Sequence, residues 1–347
     1  MPPPSPRIFP SPMKFGVFDH LDNSGRPLQE FFEHRLRLIE SYERLGFYAY
    51  HTAEHHATPL GMAPSPSLLH AAIAQRTKHI RFGPLVYTLN LYHPLRLAEE
   101  ICMLDHMSGG RFVMGVGRGI SPIELKYYGA DPELGPAMYI EVYEVIMKAL
   151  TMDTLNHEGR FYQFKDVPIV MHPLQRPHPP VWYGIGNPDS VGWCVDNKVN
   201  VITNAPAAIV RSITSRFREE WAKRGMQADA LPFMGTTRHT VIAPTDAEAI
   251  AIARRAYTKW YESFIWLWKK HNAKPRFALY TEDFDALMTN GQAIAGSPDT
   301  VRKSIQRLQE EFGGNYLLCR FAFGDLTLDE ALRSTELFAR HVMPAFA

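Results

Sequence analysis

From Met13 onward the apolar positions keep switching between two rhythms, short β-like runs and longer stretches with helical spacing. This is the pattern of βαβ units feeding a parallel sheet. Lys14-Phe-Gly-Val-Phe18 reads as a first strand. Pro27 to Leu45 reads as a helix with Phe31, Leu38, Tyr42 and Leu45 on one stripe, closed by Gly46. Strands follow at Phe47 to Tyr50, Ile80 to Val86 and Phe112 to Val116, with helices at Ser67 to Arg76 and Pro94 to Met107. Pro at the first turn of the latter and Gly109-Gly110 after its end give it clear limits. A helix from Gly135 to Met152 leads to a small hairpin, Arg160 to Phe164 with Pro168 to Met171, outside the main repeat. The repeat resumes with strands at Val181 to Gly184, Val199 to Thr203 and Met234 to Ile242, and helices at Pro188 to Asp196, Pro206 to Arg224 and Asp246 to about Phe264. Trp266 to Ala295 breaks the rhythm before a helix to Phe312, an eighth strand at Tyr316 to Phe321 and a closing helix at Leu328 to Met343.

Eight strands with intervening helices favour one (β/α)8 (TIM) barrel with an insertion after helix seven, at about residues 266–295. The competing arrangement, two doubly wound domains, needs a Gly-rich fingerprint after the first strand, and Phe18-Asp-His-Leu-Asp has none. Residues 1–12, six of them Pro, read as a flexible or extended arm, and 13–347 as a single domain. Arm, hairpin and insertion account for the excess of 347 residues over the ~250 of a plain barrel.

Composition removes several classes of function. A net charge of +1 offers no field for nucleic acid or an anionic membrane. The three cysteines, Cys102, Cys194 and Cys319, are far apart and have no CxxC spacing, which excludes a disulfide framework or a cysteine-rich zinc site. Apolar runs stay below the ~20 residues of a membrane helix, and the Pro-rich start has no apolar signal segment. The expected compartment is the cytoplasm.

In a barrel, chemistry sits at the C-terminal ends of the strands. The second strand ends in His51-Thr-Ala-Glu54-His55-His56, which contains H-x-x-E-H. That zinc pattern needs a helix, whereas in a strand or loop residues four apart lie ~13 Å apart. Glu54, His55 and His56 are instead acid/base or hydrogen-bonding candidates, with a His-rich surface loop as the plain alternative and a metal site held open only if His20, His51 and His55 converge. Gly115-Val-Gly117-Arg118-Gly119 leaves room for a flat ligand and offers a guanidinium to an anion, although its glycines also suit a tight turn. Gly184-Ile-Gly186-Asn187-Pro188-Asp189-Ser190 opens a helix whose N-terminus, with Asn187 and Ser190, could hold a phosphate, or whose Asn187 is simply a cap. Phe18, His20, Tyr87 and Asn90 fall at other strand ends, and Trp266 opens an insertion that suits either a lid or an oligomer contact.

These residues together resemble a known family. Lys14-Phe-Gly-Val-Phe, Glu54-His-His56, Ile80-Arg-Phe-Gly, His93-Pro-Leu-Arg-Leu-Ala-Glu, Leu104-Asp-His-Met-Ser-Gly-Gly-Arg-Phe, Gly115-Val-Gly-Arg-Gly, Gly296-Ser-Pro-Asp and Val342-Met-Pro are similar to the bacterial luciferase-like flavin-dependent monooxygenases, in the family's order across the chain. The resemblance implies a barrel, commonly dimeric, that binds reduced FMN at its mouth. It implies O2 as co-substrate and a flavin C4a-(hydro)peroxide that oxygenates an organic molecule, with reduced flavin supplied by a separate NAD(P)H:flavin reductase. Carried over by position, His55 is the catalytic histidine, supported by Glu54 and His56. Arg118, Asn187 and Ser190 contact the flavin phosphate, beside Gly117, Gly186 and Tyr87, and Leu85 and Val86 lie beneath the ring, where relatives have a non-prolyl cis peptide. Phe18, His20, Asn90 and Trp266 would line a pocket for a small, apolar or cyclic substrate. The light-emitting subunit's reactive cysteine falls on Gly117 here, and the Glu-Ser of its phosphate turn on Gly186-Asn187, which argues against luminescence and a long-chain aldehyde. The alternatives are an oxidoreductase using the deazaflavin F420 and a non-catalytic flavin-binding homologue.

Overall fold

The computed structural model describes residues 13–275 and 280–347. The expected N-terminal arm and residues 276–279 of the expected insertion lie outside the described residues. In chain order the elements are β1 (Lys14–Asp19), α1 (Leu28–Arg44), β2 (Ala49–Thr52), α2 (Pro66–Arg76), β3 (Arg81–Pro84), β4 (Tyr87–Thr88), α3 (Pro94–Ser108) and β5 (Met114–Gly117). Next come α4 (Pro122–Tyr127), α5 (Gly135–Thr151), β6 (Thr154–Glu158), β7 (Gln163–Pro168), β8 (Val181–Gly184), α6 (Val191–Asp196), β9 (Asn200–Thr203) and α7 (Ala207–Lys223). The chain ends with β10 (Met234–Ile242), α8 (Asp246–Lys270), α9 (Phe284–Thr289), β11 (Ala293–Gly296), α10 (Pro298–Phe312), β12 (Tyr316–Arg320) and α11 (Leu328–His341).

The parallel strands follow the order β3-β2-β1-β12-β10-β9-β8-β5-β4, and a bridge from Phe82 to Phe112 closes the circle. β3 and β4 are two halves of one stave, interrupted at Leu85-Val86, so nine strands make eight staves. The peptide between Leu85 and Val86 is cis, where the resemblance placed one. All nine residues of β10 are buried because both faces of a parallel barrel are covered, by helices outside and by side chains within. The interior is filled by Phe18, Leu85, Trp182, Ile202, Tyr316 and Leu318, while the larger apolar core lies between strands and helices.

Local chemistry explains the boundaries. α3 begins at Pro94 and stops where Gly109 adopts φ 64, and α11 starts in a capping box between Thr327 and Glu330. Four expectations change. The hairpin is β6 with β7, shifted towards the N-terminus, because Glu141 accepts the backbone N–H groups of Arg160, Phe161 and Tyr162 and so fixes those residues as its turn. A short helix absent from the expected elements, α4, begins at Pro122. α8 runs on to Lys270, so Trp266 belongs to that helix and not to an insertion. The expected insertion also ends in a strand, β11, which pairs with the last four residues of β10. Among the described residues no helix is long and apolar enough to cross a membrane.

Candidate active site

Strand ends converge at the C-terminal mouth, and the groups they deliver fall on two sides. On one side the chain leaving β2 carries Glu54, His55 and His56, and α4 lies across them. His55 Nδ1 is 3.2 Å from Glu124 Oε1. A carboxylate only accepts, so Nδ1 carries the proton and Nε2 is the nitrogen left for a ligand. Burial alone would push the Glu124 carboxyl up, yet His55 and the His56 backbone N–H, 2.7 Å from Oε2, hold it below the usual range. Glu124 therefore stays ionised. Ser121 and Glu124 have the S-x-x-E spacing of a capping box, but only half is made: Ser121 accepts from the Glu124 N–H, while the Glu124 carboxylate turns away to the histidines.

Glu54 and His56 are committed elsewhere. The Glu54 side chain has no solvent exposure, and its oxygens take His56 Nε2 at 2.7 Å and the Thr88 N–H at 2.8 Å. His56 Nδ1 meets the Tyr128 hydroxyl at 2.8 Å. Both residues fix the platform beneath His55 instead of facing a ligand.

The facing wall is His20, whose ring stacks on that of His55 at 5.7 Å and touches Phe18 and Trp260. Burial first, then the nearby Arg320, hold its pKa well below the ordinary value, so His20 is neutral at physiological pH. Behind it lie His239 and Arg320, also buried. His51 points into the barrel against Trp182 and the Tyr316 hydroxyl, with its pKa pushed down to about 3 by burial. His20, His51 and His55 do not converge: among the described residues no three metal-ligating side chains come together.

The other side of the mouth is open. Arg118 is exposed and its guanidinium has no partner among the described residues. A Cβ placed on Gly184 or Gly186 would meet nothing within 4 Å. Gly117 differs, because a Cβ there would lie 2.3 Å from Val86; its missing side chain makes room for the neighbouring stave and not for a ligand. Gly115 likewise admits the Pro84 carbonyl, which a Cβ would approach to 2.0 Å.

Asn187 spends its side chain locally, accepting from the Asp189 N–H at 3.0 Å. The helix it introduces is one 3-10 turn and then the six residues of α6, and the exposed Asp189 carboxylate sits in that turn. Its pull on a phosphate is correspondingly small. Ser190 closes the same 3-10 turn that Asn187 caps.

Three further candidates face away. Tyr87 is buried in the outer core, with its hydroxyl 2.9 Å from Ser67 of α2. Asn90 donates to the carbonyls of Arg118 and Gly135, which positions Arg118. Trp266 is 40% exposed on α8, under the Lys270 ammonium. Trp260, six residues earlier, is the tryptophan of the mouth, because six residues turn a helix by about 240°. Sequence reasoning missed Glu124, Tyr128, Trp260 and Arg320. Glu124 was hidden in a helix-start pattern, whereas Arg320, a charge at the end of an apolar barrel strand, carried a readable signal.

The profile of the luciferase-like monooxygenase family matches residues 13–315. The chain is 43% identical over 331 residues to protein y4wF of Sinorhizobium fredii, covering 94% of this chain and 95% of that one. It is 30% identical over 245 residues to the oxygenase component of the flavin-dependent trigonelline monooxygenase of Acinetobacter baylyi, covering 68% and 67%. It is 28% identical over 329 residues to limonene 1,2-monooxygenase of Rhodococcus erythropolis, covering 90% and 80%. Among solved structures it superposes on monooxygenase RslO1 of Streptomyces bottropensis with a TM-score of 0.87, 25% identity and coverage of 96% and 100%. The oxygenating constituent of 3,6-diketocamphane monooxygenase of Pseudomonas putida, in complex with FMN, gives 0.79 at 21% identity, covering 97% and 99%. The F420-dependent tetrahydromethanopterin reductase of Methanopyrus kandleri gives 0.71 at 20%, covering 97% and 100%, so the fold is common to flavin and deazaflavin proteins. The chain belongs to the luciferase-like monooxygenase family.

Proposed function

We propose that the protein is the oxygenase component of a two-component system, using reduced FMN and O2 to oxygenate a small organic substrate. The observation that carries this reading is the pairing of His55 with the ionised Glu124 across the mouth from the open shelf of Gly184, Gly186 and Arg118. The residues present suit FMN. Arg118 would hold its phosphate, Asn187 and Ser190 would lie alongside, and Leu85-Val86 would support the flat ring. When bound, the flavin supplies the activation of O2.

The chain's own groups do the rest. Glu124 keeps the His55 proton on Nδ1, so His55 Nε2 is presented as a base or hydrogen-bond acceptor. Glu54, His56 and Tyr128 keep that loop rigid, and Phe18, His20 and Trp260 exclude water from the facing wall. A separate NAD(P)H:flavin reductase would deliver the reduced cofactor. Leu68 on α2 and Met103 and Met107 on α3, two helices packed together, are exposed apolar side chains, which supports a homodimer through that face.

Anaerobic titration with reduced FMN, followed by mixing with O2 in a stopped-flow absorbance instrument, tests the reading. Bound reduced flavin should reoxidise with a time course distinct from that of free flavin. Reoxidation at the free rate, or preferential binding of F420, would overturn the proposal.

A further inference from the structure

Arg35, Arg238 and Arg320 are the arginines buried among the described residues, and they are matched very differently. Arg35 faces the Asp19 carboxylate at 3.1 Å. Arg238 donates to the carbonyls of Thr237 and Ala205 and to Thr236 Oγ1. It alternates with Thr237 and His239 along β10 and so lies on the opposite face from them. Arg320, 1% exposed, has neither a carboxylate nor a backbone carbonyl among its described partners. One terminal nitrogen donates to Thr237 Oγ1 at 2.9 Å and to the Tyr280 hydroxyl at 2.8 Å, with the Asn204 amide oxygen at 3.5 Å. Among the described residues the other reaches only His239 Nε2, at 3.4 Å, and Nε has no partner. Residues 1–12 and 276–279 contain no Asp or Glu, so no carboxylate of this chain outside the described residues can complete the pair.

A guanidinium withdrawn from water without a carboxylate is unfavourable, and a fold that keeps one buried behind the facing wall of its mouth has use for its charge. The surroundings say what would meet it. Phe18, Tyr280 and Trp260 stand 5.1, 5.3 and 5.7 Å from the guanidinium carbon and form an aromatic cage. His20, on the mouth side of that cage, makes no hydrogen bond among the described residues and has a ring N–H to offer. We infer that Arg320 receives an anionic oxygen of the organic substrate, which is therefore a carboxylate-bearing molecule with a flat or cyclic apolar body, reaching Arg320 past His20 from the His55 side of the mouth. This deepens the monooxygenase reading and rests on it for what then happens to the bound acid.

Ring-matched acids and amides test it. Benzoate against benzamide, and cyclohexanecarboxylate against cyclohexanecarboxamide, are titrated by calorimetry into the full chain saturated with FMN. The wild type should bind the acids roughly 10- to 100-fold more tightly than the amides. Arg320→Gln should erase that preference by weakening the acids alone, Arg320→Lys should keep part of it, and FMN affinity should be the same in all three. A wild type that binds the acids no better than the amides overturns the inference and needs no variant to fold. A preference that survives in folded Arg320→Gln overturns it as well. Weaker binding of oxidised or reduced FMN to Arg320→Gln would assign the guanidinium to the flavin and also overturn it. Failure of FMN to saturate the wild type would sink the flavin reading instead, and the acid and amide comparison without FMN would then judge the anion site by itself.

Discussion

The two sides of the mouth solve opposite problems. Around Arg118, Gly184 and Gly186 the chain offers exposed backbone and, among the described residues, a cation without a hydrogen-bond or ion-pair partner. Around His20, His55, Glu124 and Arg320 the polar groups are buried and held in place by their neighbours, with His55 Nε2, the His20 ring and Arg320 Nε left with bonding capacity among the described residues. An open shelf can take a phosphate or a ring at little reorganisation cost, whereas a closed wall holds a few groups in fixed protonation states, which is what directed chemistry requires. This contrast makes binding and chemistry separable by mutation.

His55→Ala puts the sharpest strain on that separation. It should lower product formation by about 100- to 10,000-fold while leaving FMN affinity, read by flavin fluorescence, little changed. Glu124→Gln keeps the shape and removes the charge that fixes the His55 tautomer; turnover should fall roughly 10- to 100-fold, again with flavin binding intact. If it weakens FMN binding instead, the two sides are not independent. On the open side the pattern reverses. Arg118→Ala should raise the FMN dissociation constant roughly tenfold, and Asn187→Ala should change it much less, because that side chain is spent on Asp189. Equal effects of the two would restore the short helix as the main phosphate anchor.

The closed side also carries a pH signature. Asp22, just after His20, accepts from the Gly324 N–H, which ties the β1 exit to the β12 exit. Burial raises its carboxyl to about 7, with Asp19 adding to the rise. The folded state thus keeps a proton that the unfolded chain releases near pH 4, so stability is lost as pH rises from about 4 to 7. Asp22→Asn should melt a few degrees above the wild type at about pH 8 and converge with it near pH 4. Parallel melting curves across that range would show that Asp22 is not the titrating group.

Much of the molecule is legible in its sequence. β10 has the limits its apolar run announces, Met234 to Ile242, and α3 starts at its Pro and stops at its Gly. His55 and Arg118 are legible as candidates because they stand at strand ends within short motifs. Glu124 was not, since its partner is 69 residues away and its own neighbours spell a helix cap. Trp266 reads as part of an insertion because the helix is expected to end at about Phe264; with α8 running to Lys270, Trp266 and the buried Trp260 lie on different faces of one helix. Gly117 and Gly186 look alike as text, yet one admits Val86 and the other faces open space.

The sequence by itself determined the alternation of strands and helices, their punctuation and the strand ends that meet at one mouth, because periodicity, capping and turn chemistry act within a few residues. Tertiary structure alone decided which polar groups are satisfied and which are left with bonding capacity. Closing the barrel brings Arg320 beside Thr237, 83 residues away, without bringing a carboxylate to it, and brings α4 over His55. Protonation and partnering depend on that closure, since burial and distance do not exist until the chain has folded.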